Sequence, residues 1–432
     1  MTDLASYLHI VQWPPRPDVL FWISLTLVGG ALLGEAVFRA FGLPRIVGYS
    51  AAGMVIALAG SGLGEGRLHG NVRLIVDLAL GLLLFELGSS VSLRWLRANP
   101  ALWWTSAAEA LASFGASFAV LRWLGLEPGP ALACAARTVS GAGEVIGRVS
   151  AELRSAGQVT ERMIVLSALN TLYAVLALKL VIGWRFLDQQ GDWMRAVVQP
   201  LYTLIGSVLL AALLARAVAA VMRRFELRDE NAVLLLLGLI LLALTLTRLF
   251  GLSTLLVPLL AGALLRNTSE RPCIWPRHFG TAGGVLVLML FVVVGASWSV
   301  AAIAAGALAA LGLLVARAIA KALVLVAMAR PGGIDLRQGL ALGMTLLPVS
   351  ATTLALLADL GATHPLFADQ LAPVVLSAIA LMALLGPIAV EWGLRLGGEH
   401  QPRARASHAA EAASRPAVPL AETDAGRAEE RS

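Results

Sequence analysis

Long apolar runs separated by short polar segments dominate this chain of 432 residues. A run of about 20 apolar residues is long enough to cross the hydrocarbon layer of a bilayer as a helix. The pattern predicts an all-α polytopic membrane protein with about 13 transmembrane helices. The predicted spans are 18–41, 45–62, 72–92, 101–124, 129–150, 159–184, 197–222, 231–249, 253–267, 280–298, 301–328, 336–360 and 370–397.

A segment of the first two spans recurs in the eighth and ninth. Residues 39–53 align without gaps on residues 248–262, an offset of 209 positions. The identical pairs are Arg39/Arg248, Phe41/Phe250, Gly42/Gly251, Leu43/Leu252, Ala52/Ala261 and Gly53/Gly262. A looser match relates residues 84–88 to residues 290–295. Chance similarity between two apolar stretches is the alternative, but two related halves are typical of secondary transporters.

The arginines between the spans predict how the chain is oriented, because cytoplasmic loops carry an excess of positive charge. With the N-terminus outside, the inner loops hold Arg39, Arg45, Arg94, Arg97, Arg148, Arg154, Arg162, Arg223, Arg224, Arg228, Arg266, Arg271, Arg277, Arg330 and Arg337. The outer side holds Arg16, Arg67, Arg73, Arg122, Arg185, Arg195 and Arg248. In this topology the first span runs inward and the eighth outward, so the two similar segments are inverted repeats.

Composition narrows the class further. The chain is 58% hydrophobic and 14% charged, whereas soluble domains carry roughly 25% charged residues. Its net charge of +6 comes from loop arginines that set orientation, so we expect no nucleic-acid partner. Cys134 and Cys273 lie in different contexts and predict no disulfide. All six histidines fall in loops or tails, so we expect no metal site in the membrane and no cofactor.

The domain organisation follows from the spans. An N-terminal segment, 1–17, is expected outside, and the transmembrane domain covers 18–398. Its repeats are 18–184 and 231–397, with a linker helix at 197–222. Residues 399–432 lack periodic apolar positions and predict a disordered cytoplasmic tail. No glycine-rich phosphate loop follows, so we expect no nucleotide-binding regulatory domain in this chain.

Spans five and twelve, the fifth of each repeat, are polar and interrupted. Residues 134–144 and 343–353 contain glycine or proline among hydroxyl side chains, and these residues break helices. Matching broken segments in two halves are the best sequence pointer to a transport site. The candidate ligands there are Thr138, Ser140, Glu144, Ser350 and Thr352. The alternative is that the serines and threonines bond back to their own helices.

Charged side chains within the spans need a reason, since a charge at mid-bilayer costs about 2.5–3.5 kcal/mol. Glu144 could bind a cation when ionised and release it when protonated; alternatively, it forms a fixed ion pair with Arg137. Lys321 and Arg317 share one face of span eleven and predict a functional or core-facing role, with snorkelling as the alternative for Lys321. Glu109 in span four is a reserve candidate for proton binding.

Span three also carries an acid, Asp77. This residue lies near the predicted outer end of the span, and we expect it to be solvated.

Several segments resemble the monovalent cation/proton antiporter superfamily, in its sodium/hydrogen-exchanger and Kef-like branches. The matching segments are 42–53, 81–88 with 93–97, 251–262, the Lys321 helix, and 339–343. The resemblance covers roughly residues 20–395. It implies the sodium/proton antiporter fold, with two inverted repeats and a broken helix in each. It also implies a core domain, a second domain for subunit contacts, and a homodimer.

The chain departs from this family at span six. Members typically carry an Asn-Asp, Asp-Asp or Gln-Asp pair whose second carboxylate binds the cation or proton. Here Asn170 fits the first position, and Thr171 stands where the aspartate is expected. A threonine hydroxyl can offer an oxygen to a cation, but it cannot carry a proton near neutral pH. Either another acid has taken this role or the transport chemistry differs.

The sequence therefore predicts a secondary transporter, not an enzyme, in the bacterial inner membrane. The leading hypothesis is exchange of a monovalent cation, Na⁺ or K⁺, for protons. Arg137, Arg317 and Lys321 leave a second hypothesis, transport of a small anion on the same fold. A third is a non-transporting sensor or assembly relative.

Overall fold

The computed structural model describes residues 19–58, 70–190, 193–224, 230–268, 280–349 and 351–400. Within these ranges the chain forms α-helices and no strand. The first half contains α1 (Val19–Phe41), α2 (Arg45–Leu58), α3 (Gly70–Ser89), α4 (Leu93–Ala98), α5 (Pro100–Trp123), α6 (Pro128–Val139), α7 (Gly143–Glu152) and α8 (Gln158–Gln190). The second contains α9 (Trp193–Arg224), α10 (Glu230–Leu249), α11 (Leu256–Thr268), α12 (Gly280–Ala296), α13 (Val300–Ala327), α14 (Leu336–Thr345), α15 (Ala351–Thr363) and α16 (Pro365–Gly397).

The all-α prediction is confirmed, but the count of thirteen spans is not. In the described residues, five helical segments are long and apolar enough to cross a membrane on their own: Ser24–Phe41, Gln158–Trp184, Val197–Arg224, Val300–Ala327 and Pro365–Gly397. Others are shorter, and α4 is an unpredicted short helix whose first turn is capped by the Ser92 hydroxyl. The predicted N-terminal segment and all of the predicted tail beyond residue 400 lie outside the described residues.

Spans five and twelve are each broken, as predicted. Span five divides into α6 and α7 around residues 140–142, and span twelve divides into α14, which ends at Thr345, and α15, which begins at Ala351. Glycine and proline at these positions do not support continuous helical hydrogen bonding. Each repeat therefore supplies two half-helices whose ends meet inside the protein.

The repeat detected in the sequence recurs in the backbone geometry. Gly42 and Gly251 both adopt the left-handed conformation, with φ of 72° and 64°, directly after α1 and α10. This conformation is costly for residues with a Cβ, so glycine ends both helices in the same way.

Close helix crossings repeat the same correspondence. At four glycines an added Cβ would overlap a backbone carbonyl of the facing helix: Gly53 against Val292, Gly295 against Ser50, Gly88 against Leu259, and Gly262 against Phe85. The second helix of each repeat thus packs on the third helix of the other repeat. Both crossings exclude side chains, because the two backbones are in contact.

The helices form two groups by their packing. The panel consists of α1–α3 and α9–α12, in which α3 packs on α11 and α2 packs on α1 and α12. The core consists of α5–α8 and α13–α16, in which α13 packs on α5, α14 and α16. Helix α9 contacts both α8 and α11 and so connects the groups. All four half-helices belong to the core.

The last described residues fold back onto the core. The Glu399 carboxylate accepts hydrogen bonds from the backbone N–H groups of Val159 and Thr160, both at 2.7 Å. A carboxylate at this position satisfies free N–H groups and complements the helix dipole. Glu399 therefore caps α8, the helix that carries Asn170 and Thr171.

The close helix crossings predict that a side chain is not accommodated at Gly53 but is accommodated at Gly238. Gly53→Ala should lower the melting temperature of the detergent-purified protein, because overpacking costs about 1–3 kcal/mol. Gly238→Ala in α10 is the matched control, since nothing lies within 4 Å of its would-be Cβ. Equal melting temperatures for both variants would contradict the assigned crossing.

Candidate functional site

The two helix breaks lie side by side in the core. The backbone N–H of Ala142 donates to the carbonyl of Pro348 at 3.3 Å, and the hydroxyls of Ser140 and Thr352 are 3.1 Å apart. The N-terminal residues of α7 and α15 therefore meet the C-terminal ends of α6 and α14. This meeting of four half-helix ends is called the crossing below.

Arg317, on α13, joins both breaks. Its guanidinium donates to the carbonyls of Thr138 at 2.6 Å, Ser140 at 3.1 Å and Leu346 at 3.1 Å, and also to that of Leu347. Its side chain is buried, and these carbonyls lie at the ends of α6 and α14. Helix C-termini favour a positive charge, so Arg317 compensates two helix ends at once. Arg317 therefore faces the interior of the core.

Glu144 lies where the second half-helices, α7 and α15, begin. Its Oε1 accepts a hydrogen bond from the backbone N–H of Thr352 at 3.3 Å, while its buried Oε2 has no hydrogen-bond partner among the described atoms. Glu144 is in the first turn of α7, and Thr352 is in the first turn of α15. Helix N-termini favour negative charge, so both half-helices stabilise the carboxylate.

The alternative pairing of Glu144 with Arg137 does not form. The guanidinium of Arg137 is buried, and its three nitrogens have no hydrogen-bond partner among the described atoms. The break between the two residues turns α7 away from the last turn of α6, so their spacing of seven residues no longer places them together. Among the described residues, Glu144 is therefore not neutralised by an ion pair with Arg137.

Hydroxyl groups line the break of span five. Thr138 donates to the carbonyl of Ala135 at 2.8 Å and lies 3.2 Å from the Ser117 hydroxyl. The Ser167 hydroxyl is buried without a partner among the described atoms and lies against Gly141 and Gly143. Ser167 was not predicted as a site residue, although it lies one helical turn before Thr171.

Asn170 and Thr171 serve different contacts. The Thr171 hydroxyl donates to the carbonyl of Ser167 at 3.0 Å, the back-bonding that threonine makes inside helices. The Asn170 amide donates to Glu109 Oε2 at 2.8 Å. Position 171, where the family has an aspartate, therefore holds a hydroxyl bonded to its own helix. The carboxylate of Glu109, on α5, binds the neighbouring residue, Asn170.

Glu109 and Lys321 form a buried ion pair. Both side chains are fully buried, and the Lys321 ammonium donates to Glu109 Oε1. Ser113 also approaches this oxygen, at 3.3 Å. Snorkelling of Lys321 is excluded by its burial. Because removal of either partner would leave a lone charge in the interior, the two groups depend on one another.

A small cavity approaches this pair. It has a volume of about 30 Å³ and is bordered by Asn99, Thr105, Arg162, Leu325 and Gly332, among others. Thr105 lies one turn before Glu109 on α5, and Leu325 lies one turn after Lys321 on α13. A space of about 10–15 Å³ suffices for one water, so the cavity can hold water one helical turn from the pair.

A larger cavity lies beside α7. It has a volume of about 230 Å³ and is lined by residues that include Arg45, Tyr49, Arg148 and Glu152. Arg148 lies one helical turn from Glu144 on the same face of α7. This cavity therefore comes within one helical turn of Glu144.

The structure brings half of the ten predicted site residues together. Arg317, Glu144, Thr138, Ser140 and Thr352 meet at the crossing, whereas Ser350 lies outside the described residues.

The expectation for Asp77 was wrong. Its side chain is buried and pairs with Arg248. Charge near the end of a span suggested solvation, but a basic residue of another helix covers it.

The crossed broken helices within a repeated helical fold define a class, the secondary transporters of the sodium/proton antiporter fold. A family model for the sodium/hydrogen exchanger transmembrane region matches residues 24–396. The chain belongs to this family and is a multi-pass membrane protein. No curated protein matches it by sequence comparison.

Solved structures show the same fold. The sodium proton antiporter MjNhaP1 from Methanocaldococcus jannaschii, at pH 8, matches with a TM-score of 0.62 and 16% identity, over 88% of this chain and 98% of that one. A second MjNhaP1 structure, from an electron-microscopy map, matches with a TM-score of 0.67 and 16% identity, over 90% and 100%.

We call the hydrogen bonds from Arg317 to four carbonyls the clamp. The clamp predicts that a positive charge alone cannot replace the guanidinium at this position. Arg317→Lys should lower the melting temperature strongly, because an ammonium cannot reach four carbonyls and each lost charged hydrogen bond costs about 1.5–3 kcal/mol. Arg122→Lys is the matched control, since exposed Arg122 donates to one carbonyl, that of Leu126, at 2.5 Å. Similar small shifts for both would show that the clamp contributes little.

Proposed function

We propose that this chain exchanges a monovalent cation, Na⁺ or K⁺, for protons across a membrane. Membership of the sodium/hydrogen exchanger family supports the class of reaction. The observation that carries the proposal is the Glu144 carboxylate at the crossing, with one oxygen bonded to the Thr352 amide and the other open. A buried carboxylate of this kind can bind a cation or a proton, but not both at once.

The surroundings of Glu144 suit a cation. Hydroxyl oxygens of Ser140 and Thr352 lie together beside it, and Ser167 adds an unpartnered hydroxyl at the same break. Transport sites in broken helices use such side-chain oxygens together with unwound backbone carbonyls to replace the hydration shell of the ion. Arg317 already binds the carbonyls at the C-terminal ends of α6 and α14. The oxygens that are left to bind a cation are therefore those near Glu144.

We further propose that the Glu109–Lys321 pair binds a second exchangeable proton. It takes the place of the aspartate that Thr171 lacks. The pair is buried, and its carboxylate accepts a hydrogen bond from Asn170, the neighbour of Thr171. Thr105 and Leu325, each one helical turn from the pair, line a water-sized cavity. Protonation belongs to the pair as a unit, because the two groups are in direct contact.

The anion hypothesis has less support. Arg317 is engaged by four carbonyls and Lys321 by Glu109, which leaves Arg137 as the one of the three proposed cations without a hydrogen-bond partner among the described atoms. The hydroxyls and open carboxylate oxygen at the crossing are acceptors that favour a cation.

The finer assignments are part of the same proposal. We expect a homodimer in the bacterial inner membrane, with the N-terminus outside and the C-terminus cytoplasmic, and a relationship to the Kef-like branch. The uneven distribution of loop arginines supports the orientation.

Glu144→Gln should reduce cation-driven proton movement to background while the protein still folds, because an amide cannot exchange a proton for a cation. The assay is dissipation of a respiration-driven pH gradient in everted vesicles on addition of Na⁺, K⁺ or Li⁺. Glu391→Gln is the matched control, since Glu391 is also buried but pairs with Arg395 on its own helix. Full exchange by the Glu144 variant would refute the assignment.

The second proton predicts a contrast between single and double variants. Glu109→Gln alone should destabilise the protein by about 3–5 kcal/mol, because Lys321 stays buried without its partner. The double variant E109Q/K321M should recover most of this stability, measured as melting temperature.

In transport, the double variant should exchange with a shallower pH dependence and one proton fewer per cation, measured in proteoliposomes with a clamped membrane potential. An unchanged pH profile and proton count in a stable double variant would show that the pair is structural.

A further inference from the structure

Two ion pairs connect the core to the panel. Arg45 of α2 binds Glu152 of α7, with Nη1 and Oε1 3.1 Å apart and the Arg45 backbone N–H 3.2 Å from Oε2. Arg73 of α3 binds Asp359 of α15, with Nη2 and Oδ1 2.6 Å apart. In both pairs the arginine belongs to the panel and the carboxylate to the core.

Both carboxylates lie on the second half-helix of a broken span. Glu152 is eight residues beyond Glu144, and Asp359 is seven beyond Thr352, which places each about 10–12 Å along its half-helix from the crossing. The two half-helices correspond in the repeat. The ion pairs therefore occupy equivalent places around one central site.

The two pairs lie at opposite ends of the protein. Helix α3 relates them: Arg73, near its start, binds Asp359, while Leu87, near its end, lies against Gly143 of α7, the half-helix that carries Glu152. Fourteen residues separate Arg73 from Leu87, about 21 Å along the helix. The crossing is therefore flanked by one ion pair on each side.

Each panel arginine has a second acid within the panel. Arg45 Nε lies 3.0 Å from Glu35 Oε2 of α1. Arg73 Nε lies 3.8 Å from Asp77 Oδ2 of its own helix. Both arginines therefore keep a counter-charge when the core carboxylate is removed.

Each core carboxylate likewise has a second arginine within the core. Arg148 lies four residues before Glu152, one helical turn away on the same face of α7. Helix α15, which carries Asp359, packs on α6, which carries the buried guanidinium of Arg137.

We propose that Arg45–Glu152 and Arg73–Asp359 are two latches, one on each face, and that each breaks when its face opens toward the crossing. On breaking, the arginine passes to Glu35 or Asp77 and the carboxylate to Arg148 or Arg137, so no charge is stranded in a desolvated interior. The inference rests on the proposed transport only in requiring that the two faces open in turn.

The exposure of these pairs fits contacts that break in every cycle. The side chains are partly exposed, 37% and 14% for Arg45 and Glu152 and 22% and 32% for Arg73 and Asp359. Partly exposed ion pairs contribute little net stability, since attraction in a polar environment is offset by lost side-chain entropy. The Glu109–Lys321 pair, in contrast, is fully buried, so this argument does not apply to it.

The test measures access to the crossing from each face. A single reporter cysteine replaces buried Ser140 in a full-length chain that carries C134A and C273A. A charged, membrane-impermeant thiol reagent is then applied to right-side-out and inside-out vesicles. Asp359→Asn should raise the labelling rate about two- to fivefold from the Arg73 face and lower it from the Arg45 face. Glu152→Gln should do the reverse.

The control is Glu391→Gln, whose ion pair with Arg395 lies within one core helix; it should change neither rate. The charge-swapped variant R73D/D359R should restore the original labelling ratio, which also shows that Asp359→Asn has folded. The proposal is overturned if both variants raise labelling from both faces, or if neither changes it.

Labelling needs no cation flux, so this result is separate from the transport assay. Opposite shifts in labelling without any cation-driven proton movement would refute the proposed exchange and leave the latches standing. Exchange that depends on Glu144 with unchanged labelling would do the opposite.

Discussion

The guanidinium of Arg317 holds the C-terminal ends of two half-helices together, and the geometry of the site depends on that contact. Broken helices leave backbone carbonyls that lipid cannot satisfy, so each break needs a polar partner inside the protein. One planar side chain supplies donors to four carbonyls from both repeats. With these ends fixed, the N-terminal ends of α7 and α15 face the other way and meet at Glu144. A positive group at two C-termini and a negative group at two N-termini follow from the same crossing of helix dipoles.

One helix supplies both basic groups of the core centre. Arg317 and Lys321 are four residues apart on α13 and so share a face, but they meet different partners. Arg317 meets neutral carbonyls, and Lys321 meets the carboxylate of Glu109. In the proposed exchange, a cation that binds Glu144 takes the place of the proton on that carboxylate. Cation binding and proton release are thereby linked at one group, in a chain that has threonine at position 171.

Much of the fold was predictable because it depends on local signals. Glycine pairs such as Gly42/Gly251 mark the same left-handed helix ends in both repeats, and glycine and proline mark both breaks. The pairing of Glu109 with Lys321 was not predictable, because it joins residues 212 positions apart and no periodicity specifies which helices face each other. Glu144 and Arg137 show the reverse error: sequence separation suggested a contact, and the break removed it. Asp77 shows a third limit, since burial at a helix end depends on what another helix places over it.

The glycine crossings have a mechanical consequence. In the described part of the chain, every backbone-to-backbone approach of this kind lies within the panel, as at Gly53 and Gly88, or within the core, as at Gly306 against Pro373. Across the boundary, the corresponding contact at Gly143 is with the flexible side chain of Leu87. Interlocked backbones resist sliding, whereas a surface of aliphatic side chains can repack at low cost. The panel and the core are therefore each stiff, and the boundary between them is filled by side chains that can repack. This boundary runs directly past Glu144.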